Sequence, residues 1–132
     1  MITNNGFKIA INRIGTDTPD YDVVSQFKIG KDQVSVSATD TDLTTPVEIS
    51  GGAYFKDLSE APYVDEANYE ITTTSYLNSV EANGEDLNAI GVFNKDSTPL
   101  MQDIFMFTPI TKSDSVGIVI EIKNRLVRRW KI

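Results

Sequence analysis

Hydrophobic and polar residues alternate most cleanly near the end of the chain, in Val116-Gly-Ile-Val-Ile-Glu-Ile-Lys-Asn-Arg-Leu126. Val116, Ile118, Ile120, Ile122 and Leu126 fall on one face at period two, while Glu121, Lys123 and Arg125 fall on the other. That is the pattern of a half-buried antiparallel strand. Asn124 alone interrupts the inward row, near the end where burial can lapse. Further strands are expected at residues 26–30, 69–77, 87–93 and 100–107. Tyr69-Glu-Ile-Thr-Thr-Thr-Ser-Tyr76 has the Thr- and Tyr-rich composition of a strand surface. Its apolar positions Tyr69, Ile71, Tyr76 and Leu77 do not keep one parity, which predicts a bulge near Thr74. Turn chemistry separates these runs at Asn83-Gly84, at 94–99 and at 108–115.

The first half is less regular. Phe7, Ile9 and Ile11 alternate like a strand, but Phe7, Ile11 and Ile14 also fit a helical face that Thr3 or Asn4 would cap. A short N-terminal helix is expected. Residues 15–22 read as a loop, and Asp40-Thr-Asp-Leu-Thr-Thr-Pro46 as one capped turn stopped by Pro46. Gly51-Gly52 opens a long polar connection running to about residue 66. Strand runs at these intervals predict an all-β chain, an antiparallel β-sandwich of jelly-roll-like character, forming one domain over 1–132 with a basic C-terminal tail at 123–132.

Composition narrows the chemistry. The 132 residues are 40% hydrophobic and 23% charged, ordinary for a globular domain. No apolar run approaches the roughly 18 residues of a membrane span, and no secretory signal opens the chain, so a soluble protein is expected. There is no Cys and no His. Thiolate metal sites and Cys nucleophiles are therefore excluded, and so is the usual general base. Seven of the twelve basic residues and all nineteen acidic ones lie in residues 1–122, a net of −12; the last ten residues carry +5. An acidic body argues against a nucleic-acid partner, whereas the basic end suits an acidic neighbour.

Candidate sites are few. Asp40 and Asp42, with Asp32 nearby, are the nearest thing to a hard-cation cluster, but they lack the Gly turn and closing Glu of a calcium loop. They read as turn caps. Asp17, Asp20 and Asp22 read as solvated loop acids. Glu66, Glu70, Glu81, Glu85 and Asp86 supply carboxylates with no diagnostic spacing for a glycosidase pair. Tyr54, Phe55, Tyr63, Tyr69 and Tyr76 occupy the polar middle, with the core expected for Phe55 and Tyr69. No catalytic, cofactor or metal residue is assigned. Arg125, Arg128, Arg129, Trp130 and Lys131 form the candidate partner-binding set, since Trp and Arg are enriched at interface hot spots. Equally, Trp130 would serve to cover its own sheet edge while the cations stay solvated.

Read in order, the segments Ile2-Thr-Asn-Asn-Gly6, Phe27-Lys-Ile-Gly30, Asp40-Thr-Asp-Leu-Thr-Thr-Pro46, Asn83-Gly-Glu-Asp-Leu-Asn-Ala-Ile-Gly-Val-Phe93 and Phe107-Thr-Pro-Ile-Thr-Lys-Ser113 resemble tail-fibre and collar-type anchoring domains of tailed bacteriophages. The resemblance spans most of the chain, and its weight lies in the order of the pieces. It implies a non-enzymatic virion structural protein, made in the host cytoplasm, whose partners are other virion proteins and copies of itself in a homo-oligomer, a trimer or higher ring. No membrane partner is implied. With no shaft or receptor-binding tip in this sequence, a tail-fibre or collar adaptor, or a head or neck decoration subunit, is the role expected. The alternative is a carbohydrate-binding β-sandwich module, which needs a planar row of exposed aromatics on one face. A small carboxylate hydrolase is a third reading.

Overall fold

The period-two runs become strands. The computed structural model describes residues 1–128, in which a helix, α1 (Asn4–Gly15), precedes seven strands. These are β1 (Val24–Gly30), β2 (Lys56–Asp57), β3 (Tyr63–Asp65), β4 (Glu70–Leu77), β5 (Asp86–Asn94), β6 (Met101–Thr111) and β7 (Ile118–Arg125). The protein is an all-β sandwich with one short helix: two antiparallel sheets, ordered β2-β1-β5-β6 and β3-β4-β7, pack together. The chain switches sheets after β2, β4 and β6. Among the described residues the strands divide four and three between the two sheets.

Phe27, Ile29, Leu77, Leu87, Ile90, Val92 and Ile122 fill the space between the sheets. A second cluster covers the far face of the four-stranded sheet, where Ala89, Phe93, Met101 and Ile104 meet Leu43, with Phe55 packed against them. Leu43 belongs to a strap over residues 31–46, whose ends are joined by Lys31 N donating to Thr45 O (3.1 Å) and which is tied back to β1 by Val47 N donating to Ile29 O (2.9 Å). β5 is therefore buried at every position from Leu87 to Asn94. Its near-continuous apolar sequence is what burial on both faces demands. Gly30 makes the strap's approach possible: a Cβ there would stand 3.1 Å from Leu43 Cδ1 and 3.3 Å from Thr45 O.

The helix starts at Thr3, whose hydroxyl accepts from Gly6 N (3.1 Å) and donates to the Met101 carbonyl. Its buried face is Gly6 and Ile9. The apolar stripe that marks the helix in the sequence points outward instead, with Phe7 56%, Ile11 70% and Ile14 82% exposed. The contact with β6 is made by a residue without a side chain, because the helix backbone lies directly against the Gln102 carbonyl.

Several expectations need correction. The β4–β7 register runs unbroken from Glu70↔Arg125 to Leu77↔Ile118, so there is no bulge near Thr74. The inward row of β4 is Ile71, Thr73, Ser75 and Leu77, and its two small polar members hid the parity. Bulges lie instead in β1 between Val24 and Gln26, and in the β5–β6 pair. Val116 and Leu126 fall outside β7 and are exposed, whereas the parity predicted for Ile118 to Ile122 holds. Tyr69, expected in the core, sits 56% exposed at φ +57 in the turn before β4. β6 continues to Thr111, which shortens the turn placed at 108–115. The polar connection after Gly51-Gly52 contains β2 and β3, too short to show a period.

Gly6→Ala should cost about 1–3 kcal/mol, because its methyl would press on backbone that cannot rotate away. Gly15→Ala, at the open end of the same helix, should be neutral or mildly stabilising. Urea midpoints of the two variants provide the check; equal midpoints would mean that helix and β6 are not in close contact.

Candidate functional site: an apolar cleft between two edge strands

β6 and β7 each end their sheet, and they lie on the same side of the sandwich. Residues Met1 to Thr3 cover the first part of the β6 edge, with Thr3 N donating to Gln102 O and Met1 O accepting from Ile104 N, both at 3.0 Å. Among the described residues no strand pairs with that edge beyond Ile104, and β7 pairs with β4 alone. Between them opens a cleft of about 740 Å³. Phe105, Phe107 and Ile110 form one wall, and Ile118, Ile120 and Ile122 the other.

Inward parity supplies both walls. Phe105 pairs with Ile90 and faces the other sheet, as do Phe107 and the isoleucines of β7. Asp103 and Asn124 are the next inward residues of the same two strands. Asn124 Nδ2 donates to Asp103 Oδ2 at 2.6 Å, and the amino group of Met1 lies 3.1 Å from Asp103 Oδ1. Burial of Asp103 thus has a hydrogen bond and an opposite charge to offset it. Asn124, which looked like a lapse in the inward row, is the donor that Asp103 requires.

Glu121 and Lys123 stand on the outer face of β7 at the cleft's rim. Apart from Thr108, the other lining side chains are apolar. A small-molecule site combines an apolar lining with several convergent polar groups. This cleft lacks that convergence. It suits apolar side chains arriving on an extended backbone, which the two open edges would hydrogen-bond.

Of the residues singled out in the sequence, Arg125 lies on β7 with its guanidinium 3.3 Å from Glu70 Oε2, and Arg128 is exposed. Arg129, Trp130 and Lys131 lie outside the described residues. Asp42 pairs with Lys28 at 2.9 Å, and Asp40 Oδ2 accepts from Ser37 N at 2.8 Å. Asp20 Oδ2 accepts from Asn12, and Asp22 donates its backbone N–H to Asp96. Four of the five carboxylates of the middle have separate partners, Glu70 with Arg125, Glu81 with Lys56, Glu85 with Lys31, and Asp86 with the Thr111 hydroxyl, and Glu66 is exposed. Among the described residues no cluster of three or more acidic side chains is placed to hold a metal ion. No described helix is long and apolar enough to cross a membrane. Phe55 packs edge-on to Phe93, while Tyr54, Tyr63 and Tyr76 are exposed.

The cleft itself was missed. Its rows were legible as inward faces of two strands; that both strands end their sheets depends on pairings too distant in sequence for a local pattern to reveal. Compared with known proteins, the chain matches no family model, no curated protein and no solved structure.

The most buried carboxylate of the middle, Glu81, has a structural use. Burial pushes its carboxyl up, but several contacts outweigh this and hold it below the ordinary value: a 2.5 Å hydrogen bond from Lys56, the Asn78 N–H, and the charges of Lys56 and Lys112. A depressed carboxylate adds stability that is present above its unfolded pKa, about 4.5, and lost as pH falls through the folded value. Glu81→Gln should therefore lower stability at pH 7 by about 1–3 kcal/mol. In thermal melts the gap from wild type should narrow below about pH 4.5; a gap that stays constant to pH 3 would contradict the ion-pair account.

Proposed function

We propose that this protein is a non-enzymatic structural subunit of a bacteriophage virion, a collar, tail-fibre adaptor or decoration protein that works through contacts with its own copies and neighbouring virion proteins. The virion assignment rests on the sequence resemblance. The contact-based mechanism rests on one observation: part of the apolar surface open among the described residues forms two contiguous groups. One part is the Phe105–Ile110 and Ile118–Ile122 cleft, and the other is the Phe7, Ile11, Ile14 stripe on α1. Contiguous apolar surface on a soluble domain marks contact sites. The basic end adds a charged component: Arg125 and Arg128 are exposed beside an acidic body, and Arg129, Trp130 and Lys131 follow them in sequence.

A second reading, a glycan-binding module, has a specific observation in its favour. Tyr63 pairs with Thr72, so it shares the outer face of the three-stranded sheet with Tyr76, and both rings are exposed. Aromatic faces of this kind stack on sugars. Two rings fall short of the row that such a module uses, and Tyr76 already carries the Lys56 ammonium over its ring at 5.2 Å. Glycan-array binding abolished by Tyr63→Ala would favour this reading over the first.

Deleting residues 127–132 should leave a folded subunit, because β7 ends at Arg125 and, among the described residues, Leu126 N donates the last backbone bond, to Tyr69 O. It should weaken assembly, and high salt should weaken the intact assembly in the same direction, though less completely, through screening of the basic end. Size-exclusion chromatography with light scattering on both chains, with electron microscopy of the assembled fraction, is the test. Unchanged assembly after truncation would remove the tail from the docking surface.

A further inference from the structure

We propose that β7 pairs antiparallel with β7 of a second copy about a two-fold axis through Ile122, joining two three-stranded sheets into one of six. The inference rests on the assembling-subunit reading and names the contact. A three-stranded sheet lies against a four-stranded one, and the cleft opens where β7 ends the smaller sheet. A strand added there, with the same parity as β7, brings its own Ile118, Ile120 and Ile122 into the cleft against Phe105, Phe107 and Ile110. The cleft is lined for such side chains, and β7 itself is the chain's cleanest source of them.

Charge selects the register. Only registers that set inward residues against inward ones bury the apolar row. Centring on Glu121 opposes that carboxylate to its own copy, and centring on Lys123 does the same for two ammonium groups. Centring on Asn124 sets Lys123 against Arg125, and centring on Ile120 leaves Glu121 facing Val119. Centring on Ile122 places Glu121 of each copy opposite Lys123 of the other, two ion pairs on the outer face. It sets Ile122 against Ile122, and brings exposed Leu126 beside Ile118 of the second copy. Opposite charges directly across a ladder stabilise a strand pair and like charges oppose it. An assembly built on this contact holds an even number of copies, which a ring of six satisfies and a trimer does not.

The test is a charge swap, read as dimer dissociation by sedimentation equilibrium at low salt. Glu121→Lys and Lys123→Glu should each raise the Kd roughly 10- to 100-fold. The double variant Glu121→Lys/Lys123→Glu should return to within about threefold of wild type, because it restores both pairs with signs exchanged. Both side chains sit on the outer face of β7, so all three variants should keep the wild-type circular dichroism. An oligomer indifferent to the single reversals, or not restored by the double one, overturns the pairing and leaves the assembling-subunit reading standing. A chain monomeric at every concentration overturns the pairing and the self-assembly in that reading together.

Discussion

Burial of β5 on both faces is the constraint from which the remaining structure follows. A strand apolar on both sides needs two covers, and a chain of this size has one second sheet to offer. The other cover is the strap over residues 31–46, and it is anchored by an unusual choice. Lys28, on β1 next to β5, is itself nearly buried, with its ammonium 4.3 Å from the centre of the Phe55 ring and 5.2 Å from that of Phe93. Such a charge is tolerated only with a partner. Asp42 supplies it, with Leu43 delivered into the second core by the next residue. The Asp-Thr-Asp-Leu segment is thus a clamp: one Asp closes the turn, the other neutralises the buried lysine, and the Leu fills the hole above Gly91.

Spending the strap and one sheet on β5 leaves the edges to be managed by smaller means. At one end of the larger sheet, β2 is two residues long and bounded by ion-paired Lys56 and Asp57. At the other end, Met1 to Thr3 cover only the start of β6. Among the described residues, the latter part of β6 and the outer edge of β7 have neither device. Edge strands exposed in this way invite pairing with any compatible strand. Glu121, Lys123 and Arg125 on the outer face of β7 limit that invitation, since a strand arriving in the wrong register meets like charge.

How much of this was legible follows from where each pattern is decided. Five strands and the helix could be read because their side chains obey a local period, and the parity of Ile118 to Ile122 carried through to the core. β4 misled because Thr73 and Ser75 stand in its inward row; their hydroxyls, buried without a partner among the described residues, imitate an outer face in the sequence. α1 misled in the opposite sense. Its most hydrophobic stripe is the outward one, because the approach to β6 is set by Gly6, and a glycine adds nothing to an apolar period. The cleft could not be read at all, since it is a property of strand order, and strand order rests on the Glu70–Arg125 and Val24–Asn94 pairings across long separations.

The two uncovered apolar surfaces are not independent, because β6 carries both. Its first residues hold the helix through Gln102 and the N-terminal segment, and its later residues form the cleft wall. Asp103 stands at the junction, facing the amino end on one oxygen and Asn124 of β7 on the other. A strand added beside β7 would press against Phe105 and Phe107, two and four residues beyond Asp103, on a backbone that the helix already braces at Gln102. Docking at the cleft and packing of α1 therefore bear on one continuous strand. Displacing β6 at the close Gly6–Gln102 approach would shift the strand that carries the cleft wall.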